Sequence, residues 1–159
     1  MRIALGSDRR GFATKEKLSR HLEAKGVETL DLGPYTDSDP VDYPIYGELV
    51  GRTVASGECD FGVVVCATGI GIMIAANKVK GVRCGMAYTD EVARFMREHN
   101  DANVVAFGQD QMTYEDIERR LDIFLKSDFA GGYHCSRVQQ LSDIENGLPI
   151  KQTPMARRF

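Results

Sequence analysis

The chain has no tryptophan, only three histidines and five prolines, and just four cysteines in 159 residues. Nowhere does it hold the unbroken run of about 18 apolar residues that a membrane-spanning helix needs, so a membrane partner is not expected. Met1-Arg2-Ile3-Ala4-Leu5-Gly6 is too short an apolar segment for a secretion signal, and Asp8 follows closely. Cys59, Cys66, Cys84 and Cys135 form no C-x-x-C pair and no zinc-ribbon spacing. With no secretion signal they are expected to be reduced thiols in a cytoplasm. A formal net charge of -3 gives no overall attraction to nucleic acid or to an anionic membrane. What remains is a chain with 43% hydrophobic and 27% charged residues, long enough for one domain with a proper core.

Strand-like and helix-like segments alternate throughout. Strands are expected at 2–6, 27–32, 63–65, 82–87 and 103–107, and helices at 13–25, 45–56, 70–78, 91–98 and from about 113 to 126. Thr113-Tyr114-Glu115-Asp116 resembles a capping box. The stretch 33–44 carries three prolines and three aspartates and reads as a loop. This alternation predicts a single-domain α/β fold: a three-layer αβα Rossmann-like sandwich around a five-stranded parallel sheet, with a C-terminal helix and tail. The tail, 147–159, is expected to be either mobile or laid on a neighbouring subunit.

The most informative run is Val63-Val64-Val65-Cys66-Ala67-Thr68-Gly69-Ile70-Gly71-Ile72. Three β-branched residues suit a strand covered on both faces. Cys66 then stands at a carboxyl strand end, where open α/β sheets keep their ligands. Gly69 and Gly71 allow the backbone to approach a ligand, and the helix that follows presents its positive end. A thiol becomes a base only as thiolate, which a helix N-terminus favours. The competing reading is a small buried cysteine. Gly69-Ile70-Gly71 is not a dinucleotide fingerprint, because Ile74 stands where the third glycine belongs, and no phosphate-binding lysine loop is present. Cys59, Cys84 and Cys135 lack such a setting and are expected to be packing residues. Asp8, Arg9 and Arg10 could bind a sugar hydroxyl and an anion, or form a solvated turn with Asp8 capping the next helix. His21 is expected to be inert on a polar helix face. His99 lies in His99-Asn100-Asp101-Ala102-Asn103, at the wrong end of the sheet for Cys66 within one chain, though within reach of a neighbour's site across a dimer interface. Asn77 and Lys78 are expected to fasten the Cys66 loop from behind. Arg137, after Gly131-Gly132-Tyr133-His134, is a cation suited to an anion.

Taken together, Gly6-Ser7-Asp8, Asp42-Tyr43-Pro44, Cys66-Ala67-Thr68-Gly69-Ile70-Gly71, Ile74-Ala75-Ala76-Asn77-Lys78, Gly81-Val82-Arg83, His99-Asn100-Asp101-Ala102-Asn103 and Gly131-Gly132 with His134 and Arg137 resemble the type B ribose-5-phosphate isomerases and the galactose-6-phosphate isomerase subunits. The resemblance runs from Met1 to about Glu145 and implies a sugar-phosphate isomerase domain over 1–146. It implies an aldose–ketose isomerase of a small sugar phosphate, most readily ribose 5-phosphate, working without metal or other cofactor. It further implies a homodimer or dimer of dimers with shared sites. By the same resemblance Cys66 moves the proton between C1 and C2. Asp8 and a partner chain's His99 help open the furanose ring. Thr68 and the backbone of Ala67, Gly69, Ile70 and Gly71 hold the enediolate oxygens, and Asn100 binds sugar hydroxyls.

The departures concentrate on the phosphate side. Arg9 stands where the family usually has histidine, Asp110 where it often has a base, and Tyr133 where it commonly has arginine. Arg137 stays in register, and Arg9 reads as a charged substitute. An aspartate at 110 is expected to repel a phosphate dianion. Ala67 replaces a glycine and narrows the pocket by one methyl. Two alternatives follow: the same chemistry on galactose or allose 6-phosphate or an unphosphorylated sugar, or a non-catalytic sugar-phosphate-binding subunit.

Overall fold

A strand built from Val63, Val64 and Val65 has no polar face to offer water, so it has to lie in the middle of a covered sheet. The computed structural model, which describes residues 1–38 and 40–153, places it there. The elements in chain order are β1 (Arg2–Ser7), α1 (Phe12–Ala24), β2 (Glu28–Asp31), α2 (Tyr43–Ala55), β3 (Phe61–Cys66), α3 (Ile70–Asn77), β4 (Cys84–Met86), α4 (Asp90–Asn100), β5 (Val104–Gly108), α5 (Tyr114–Lys126) and α6 (His134–Glu145). All strand pairs are parallel, in the order β2-β1-β3-β5-β4. One face of the sheet packs on α1, α4 and α5 through Leu18, Leu22, Met96, Ile117, Leu121 and Phe124. The other packs on α2 and α3 through Val50, Val54, Ile72 and Ala76. The expected fold class is therefore the one observed.

The chain leaves β1 toward one face and β3 toward the other. This makes the crevice between their carboxyl ends the topological switch point, the usual ligand position in such sheets. Asp8 and Cys66 end up on its two sides, since Ser7 is in register with Val65.

Strand boundaries moved inward where a chain segment bends away from the sheet. The second strand starts at Glu28 rather than 27, and the fourth is only Cys84–Met86. That short edge strand is completed by a side chain: Asn77 Nδ2 donates to Cys84 O and Asn77 Oδ1 accepts Cys84 N–H, both at 2.8 Å. Asn77 thus fastens the sheet edge and not the Cys66 loop. Thr113 caps α5 as expected, accepting Asp116 N–H at 3.2 Å.

Three other expectations are corrected. His21 is not inert; its ring joins α1 to α5 through Asp122 at 2.9 Å and Glu118 at 3.2 Å. Cys135 is exposed, so it is no packing residue, whereas Cys59 is buried. The tail lies partly outside the described residues. As far as Thr153 it folds back on its own chain, with Leu148 N–H on Asp143 O at 2.8 Å and Gln140 reaching Lys151 O. Among the described residues no helix is long and apolar enough to cross a membrane.

One charge is fully enclosed. Lys15, 0% exposed, sends its ammonium to the carboxylates of Glu16, at 2.8 Å, and of Asp31 at the end of β2. Removing one partner of such a group leaves the other desolvated and unpaired. Lys15→Met, which keeps the apolar stem, is expected to lose about 2–3 kcal/mol in urea unfolding, the low end for a buried pair because Asp31 is partly solvated. An unchanged midpoint would show that the pair contributes nothing to folding.

Candidate active site

Cys66 ends β3 on the α2–α3 face and is 4% exposed. Its sulfur accepts the N–H of Gly69 at 3.0 Å. The bond requires a turn of three residues, and Gly69 makes it with φ +79°. A side chain there would also stand 2.9 Å from Gly108 N and from the methyl of Met86. Thr68 is exposed, and its hydroxyl accepts Ile70 N–H at 3.3 Å. Helix α3 starts at Ile70, so its first-turn amides have no carbonyl partner within the helix and begin beside Thr68.

Neighbouring loops are laced to this turn through the backbone. Asp8 N–H donates to Val65 O at 3.1 Å, Gln109 N–H to Cys66 O at 3.0 Å and Asp110 N–H to Ala67 O at 3.0 Å. The Asp8 carboxylate accepts Gly11 N–H at 2.8 Å, bracing the turn before α1; the N-cap of that helix is Gly11 itself, with no side-chain cap, so Asp8 does not cap it. A Cβ on Gly108 would collide with the carbonyl of Thr68, and one on Gly11 with that of Val65. Gly108 had no signal in the sequence beyond ending a strand. Tyr43 was likewise visible only as part of the Asp42-Tyr43-Pro44 run. Its ring lies over Gly71, 2.8 Å from where a Cβ would be, and it remains 44% exposed beside the first turn of α3.

The rim carries Arg9, Arg10 and Asp110. Arg9, read as the substitute cation, is exposed, and its side chain makes no hydrogen bond or ion pair among the described residues. Arg10 is the one engaged: its Nη2 meets Asp110 Oδ2 at 2.7 Å. This hydrogen bond, with a further one from Gln109, holds the Asp110 carboxyl below the usual carboxylate range. Asp110, expected to repel a phosphate dianion, is thus ion-paired with Arg10.

His99, Asn100, Tyr133 and Arg137 form a second group. Helix α4 returns the chain to the amino end of β5, and His99 and Asn100 occupy its last turn. Five strand residues separate that end from Gly108, roughly 15 Å at the rise of a parallel strand. One chain therefore does not bring His99 to Cys66. The turn is fixed by Asp101, a non-glycine residue at φ +47°. Arg83 Nη2 holds its Oδ2 at 2.8 Å and Arg97 Nη1 its Oδ1 at 2.7 Å. Asn103 clamps the preceding loop through Arg83 N–H and Gly81 O, both at 2.8 Å. Only His99 and Asn100 of this motif are thus left to face outward; the rest of it builds the turn.

His99 sits in a column of rings. Phe95 stacks on one side with centroids 4.3 Å apart, His134 on the other at 4.3 Å, and Tyr133 lies 4.1 Å beyond His134. Arg94 and Arg137 cap the ends, 4.6 Å from Phe95 and 4.7 Å from Tyr133. Burial, then the nearby His99 and Arg137, keep His134 below the ordinary imidazole range, so it stays neutral as pH falls further than a free histidine would. Arg137 also donates to Tyr133 O at 2.7 Å.

A surface depression of 890 Å³ lies elsewhere, between Ile45, Glu48 and Arg52 of α2 and Lys78 and Lys80. It reaches none of these groups. Cys66 is buried, while Ile70 and Ile74 of the helix that follows are about half exposed. Among the described residues no cluster of His, Cys, Asp and Glu could hold a metal ion.

The Ribose/Galactose Isomerase family model matches residues 3–141. Ribose-5-phosphate isomerase B of Escherichia coli is 40% identical over 144 residues, covering 91% of this chain and 96% of its own. The galactose-6-phosphate isomerase subunit LacB of Clostridium acetobutylicum is 40% identical over 129 residues, covering 81% and 74%. Among solved structures, Clostridium thermocellum ribose-5-phosphate isomerase B superposes with a TM-score of 0.91 at 41% identity, covering 92% of this chain and 99% of that one. The Mycoplasma genitalium enzyme with bound ribulose 5-phosphate gives 0.87 at 35% identity, covering 91% and 96%.

If Gly108 exists to let the turn lie flat, Gly108→Ala must push Thr68 outward. We expect a folded protein whose turnover with its substrate falls by about tenfold or more, since small misplacements of positioning groups have effects of that size. Wild-type turnover in a soluble Gly108→Ala protein would show the approach to be incidental.

Proposed function

The chain belongs to the ribose/galactose isomerase family, and we propose that this isomerase interconverts ribose 5-phosphate and ribulose 5-phosphate in the cytoplasm. The observation that carries the proposal is the Gly69 N–H on the Cys66 sulfur at the switch point, with Asp8 on the facing strand end. In the open-chain sugar the Cys66 thiolate takes the proton from C2, and the electron pair moves to form the enediolate with charge on O1. The hydroxyl proton passes from O2 to O1, and the thiol then returns its proton to C1, leaving the ketone at C2 and the thiolate restored. Amides of the turn and the first turn of α3, with the Thr68 hydroxyl, stabilise the oxygens on which charge develops.

The site is completed by a second copy of the chain. Within one molecule the proton-transfer group and the His99 group lie at opposite ends of the sheet, so shared sites require His99 of the partner subunit to enter the mouth above Cys66. There, with Asp8, it opens the furanose ring by moving a proton between the anomeric hydroxyl and the ring oxygen. Asn100, Tyr133 and Arg137 would arrive with it, bringing hydrogen-bonding groups and a cation toward the sugar and its phosphate. A hexose 6-phosphate remains the second reading, supported by the likeness to the galactose-6-phosphate isomerase subunit. A panel of ribose, galactose and allose phosphates and the free sugars separates the two by kcat/KM.

Purified protein should form ribulose 5-phosphate from ribose 5-phosphate, and Cys66→Ala should lose about 10³-fold in kcat, as removal of a general base does. Retained activity in that variant would remove Cys66 from the chemistry. The shared site has its own test. Cys66→Ala and His99→Ala chains, each inactive alone, should recover about a quarter of wild-type activity when refolded together, because half the random pairs are mixed and each mixed pair has one intact site. No recovery would place both residues' functions within one chain.

A further inference from the structure

The ion pair between Arg10 and Asp110 calls for an explanation that stability does not supply. Its members lie 63% and 32% exposed, and an exposed pair of this kind contributes little to folding. It nevertheless joins the loops after β1 and β5 across 100 residues of sequence. Its position is built with care. Asp110 is pinned by its own N–H on Ala67 O, and the preceding Gln109 by its N–H on Cys66 O. Gln109 in turn accepts from Thr14 at 3.0 Å and donates to Asp110 Oδ1 at 3.3 Å. Both carboxylate oxygens are thus engaged, one by Gln109 and one by Arg10. The guanidinium spends one of its five N–H donors on Asp110 and keeps the others exposed at the rim above the Cys66 turn.

We propose that Arg10 is a ligand for the substrate's phosphate group and that Asp110 is the residue that positions it. This deepens the reading of the chain as a sugar-phosphate isomerase and rests on it. A free arginine loses much of its rotamer freedom on gripping an anion; one already held in place has less to lose. The guanidinium fork also matches two phosphate oxygens, a geometry that a mobile point charge does not offer. The carboxylate behind it sets the direction in which the positive end faces. The charges of Asp8, Arg9, Arg10 and Asp110 sum to zero, so what the rim offers an anion is direction: the carboxylates are turned to Gly11 N–H and to Arg10, and the remaining guanidinium N–H groups are left to the ligand.

The test compares wild type, Arg10→Ala and Asp110→Asn, with thermal melting as the check on folding. It reads KM and kcat with ribose 5-phosphate, and binding of inorganic phosphate by titration calorimetry. Arg10→Ala should raise KM by about tenfold to a hundredfold, the range of one charge-assisted hydrogen bond, with kcat changed far less, and should weaken phosphate binding in parallel. Asp110→Asn should raise KM severalfold. An Asp110→Asn protein with a lower KM would show that the carboxylate only opposes the phosphate, and would overturn its positioning role. An unchanged KM and unchanged phosphate binding in Arg10→Ala would overturn the proposal while leaving the isomerase reading in place. A wild-type protein that binds phosphate through Arg10 but turns over no ribose 5-phosphate would sustain the anion site and remove the ribose 5-phosphate reading. Absence of both turnover and phosphate binding in the wild type would overturn the two together.

Discussion

Everything at the candidate site depends on how closely three stretches of backbone approach one another at the end of β3. The turn that follows Cys66 has to bring an amide to the sulfur and still leave Thr68 and the first turn of α3 facing outward. That is possible only because the loops after β1 and β5 lie against it without side chains in between. Gly11 meets the carbonyl of Val65, Gly108 that of Thr68, and Gly69 both Gly108 and Met86. A methyl at any of these points moves a main chain, not a flexible side chain, so the cost cannot be absorbed by rotamer changes. The geometry of the Cys66 turn is a property of packed backbone, and the hydrogen bonds from Asp8, Gln109 and Asp110 to the residues around Cys66 hold it in place.

The same sheet that fixes this turn keeps it apart from the end of α4 within one molecule. A parallel strand carries the chain from one end of the sheet to the other, and each returning helix carries it back. Residues at the end of α4 therefore share the amino end of β5 and cannot share its carboxyl end. The left-handed Asp101, gripped by Arg83 and Arg97, makes the reversal sharp and leaves His99 outside. Stacking between Phe95 and His134 then sets the plane of the His99 ring, so that a second molecule would receive an already oriented imidazole.

Much of this was legible in the sequence, for physical reasons that differ by element. The run Val63-Val64-Val65 is readable because covering both faces of a strand demands apolar residues at every position, and Thr113 because a capping hydroxyl acts on an amide three residues away. The second and fourth strands were read too long, since hydrophobicity alone does not show where a chain bends away. Contacts between distant residues were not legible. His21 was misread because its partners, Glu118 and Asp122, lie about a hundred residues on in a helix whose facing could not be known. Cys135 was misread because composition does not say which side of α6 faces water. Gly108 gave no sign because a glycine's role depends on what approaches it. Asn77 was assigned to the nearer loop, while its amide matches the backbone groups of Cys84 on the sheet edge.

Asp110 shows most clearly what a sequence withholds. Taken alone, a carboxylate beside an anion site is repulsive, and at 4 Å the repulsion between unit charges is worth about 4 kcal/mol at an effective dielectric of 20. Placed 2.7 Å from Arg10, it no longer acts alone. The two halves of the site accept change on unequal terms. Proton transfer needs a sulfur, an amide and a carbon in fixed relation, and that relation is set by glycines whose replacement moves backbone. Holding an anion needs positive charge and N–H donors at the right place, which any nearby loop with a long side chain can supply. A cation can therefore come from β1 while an acid stands on β5, provided the acid directs the cation instead of facing the ligand.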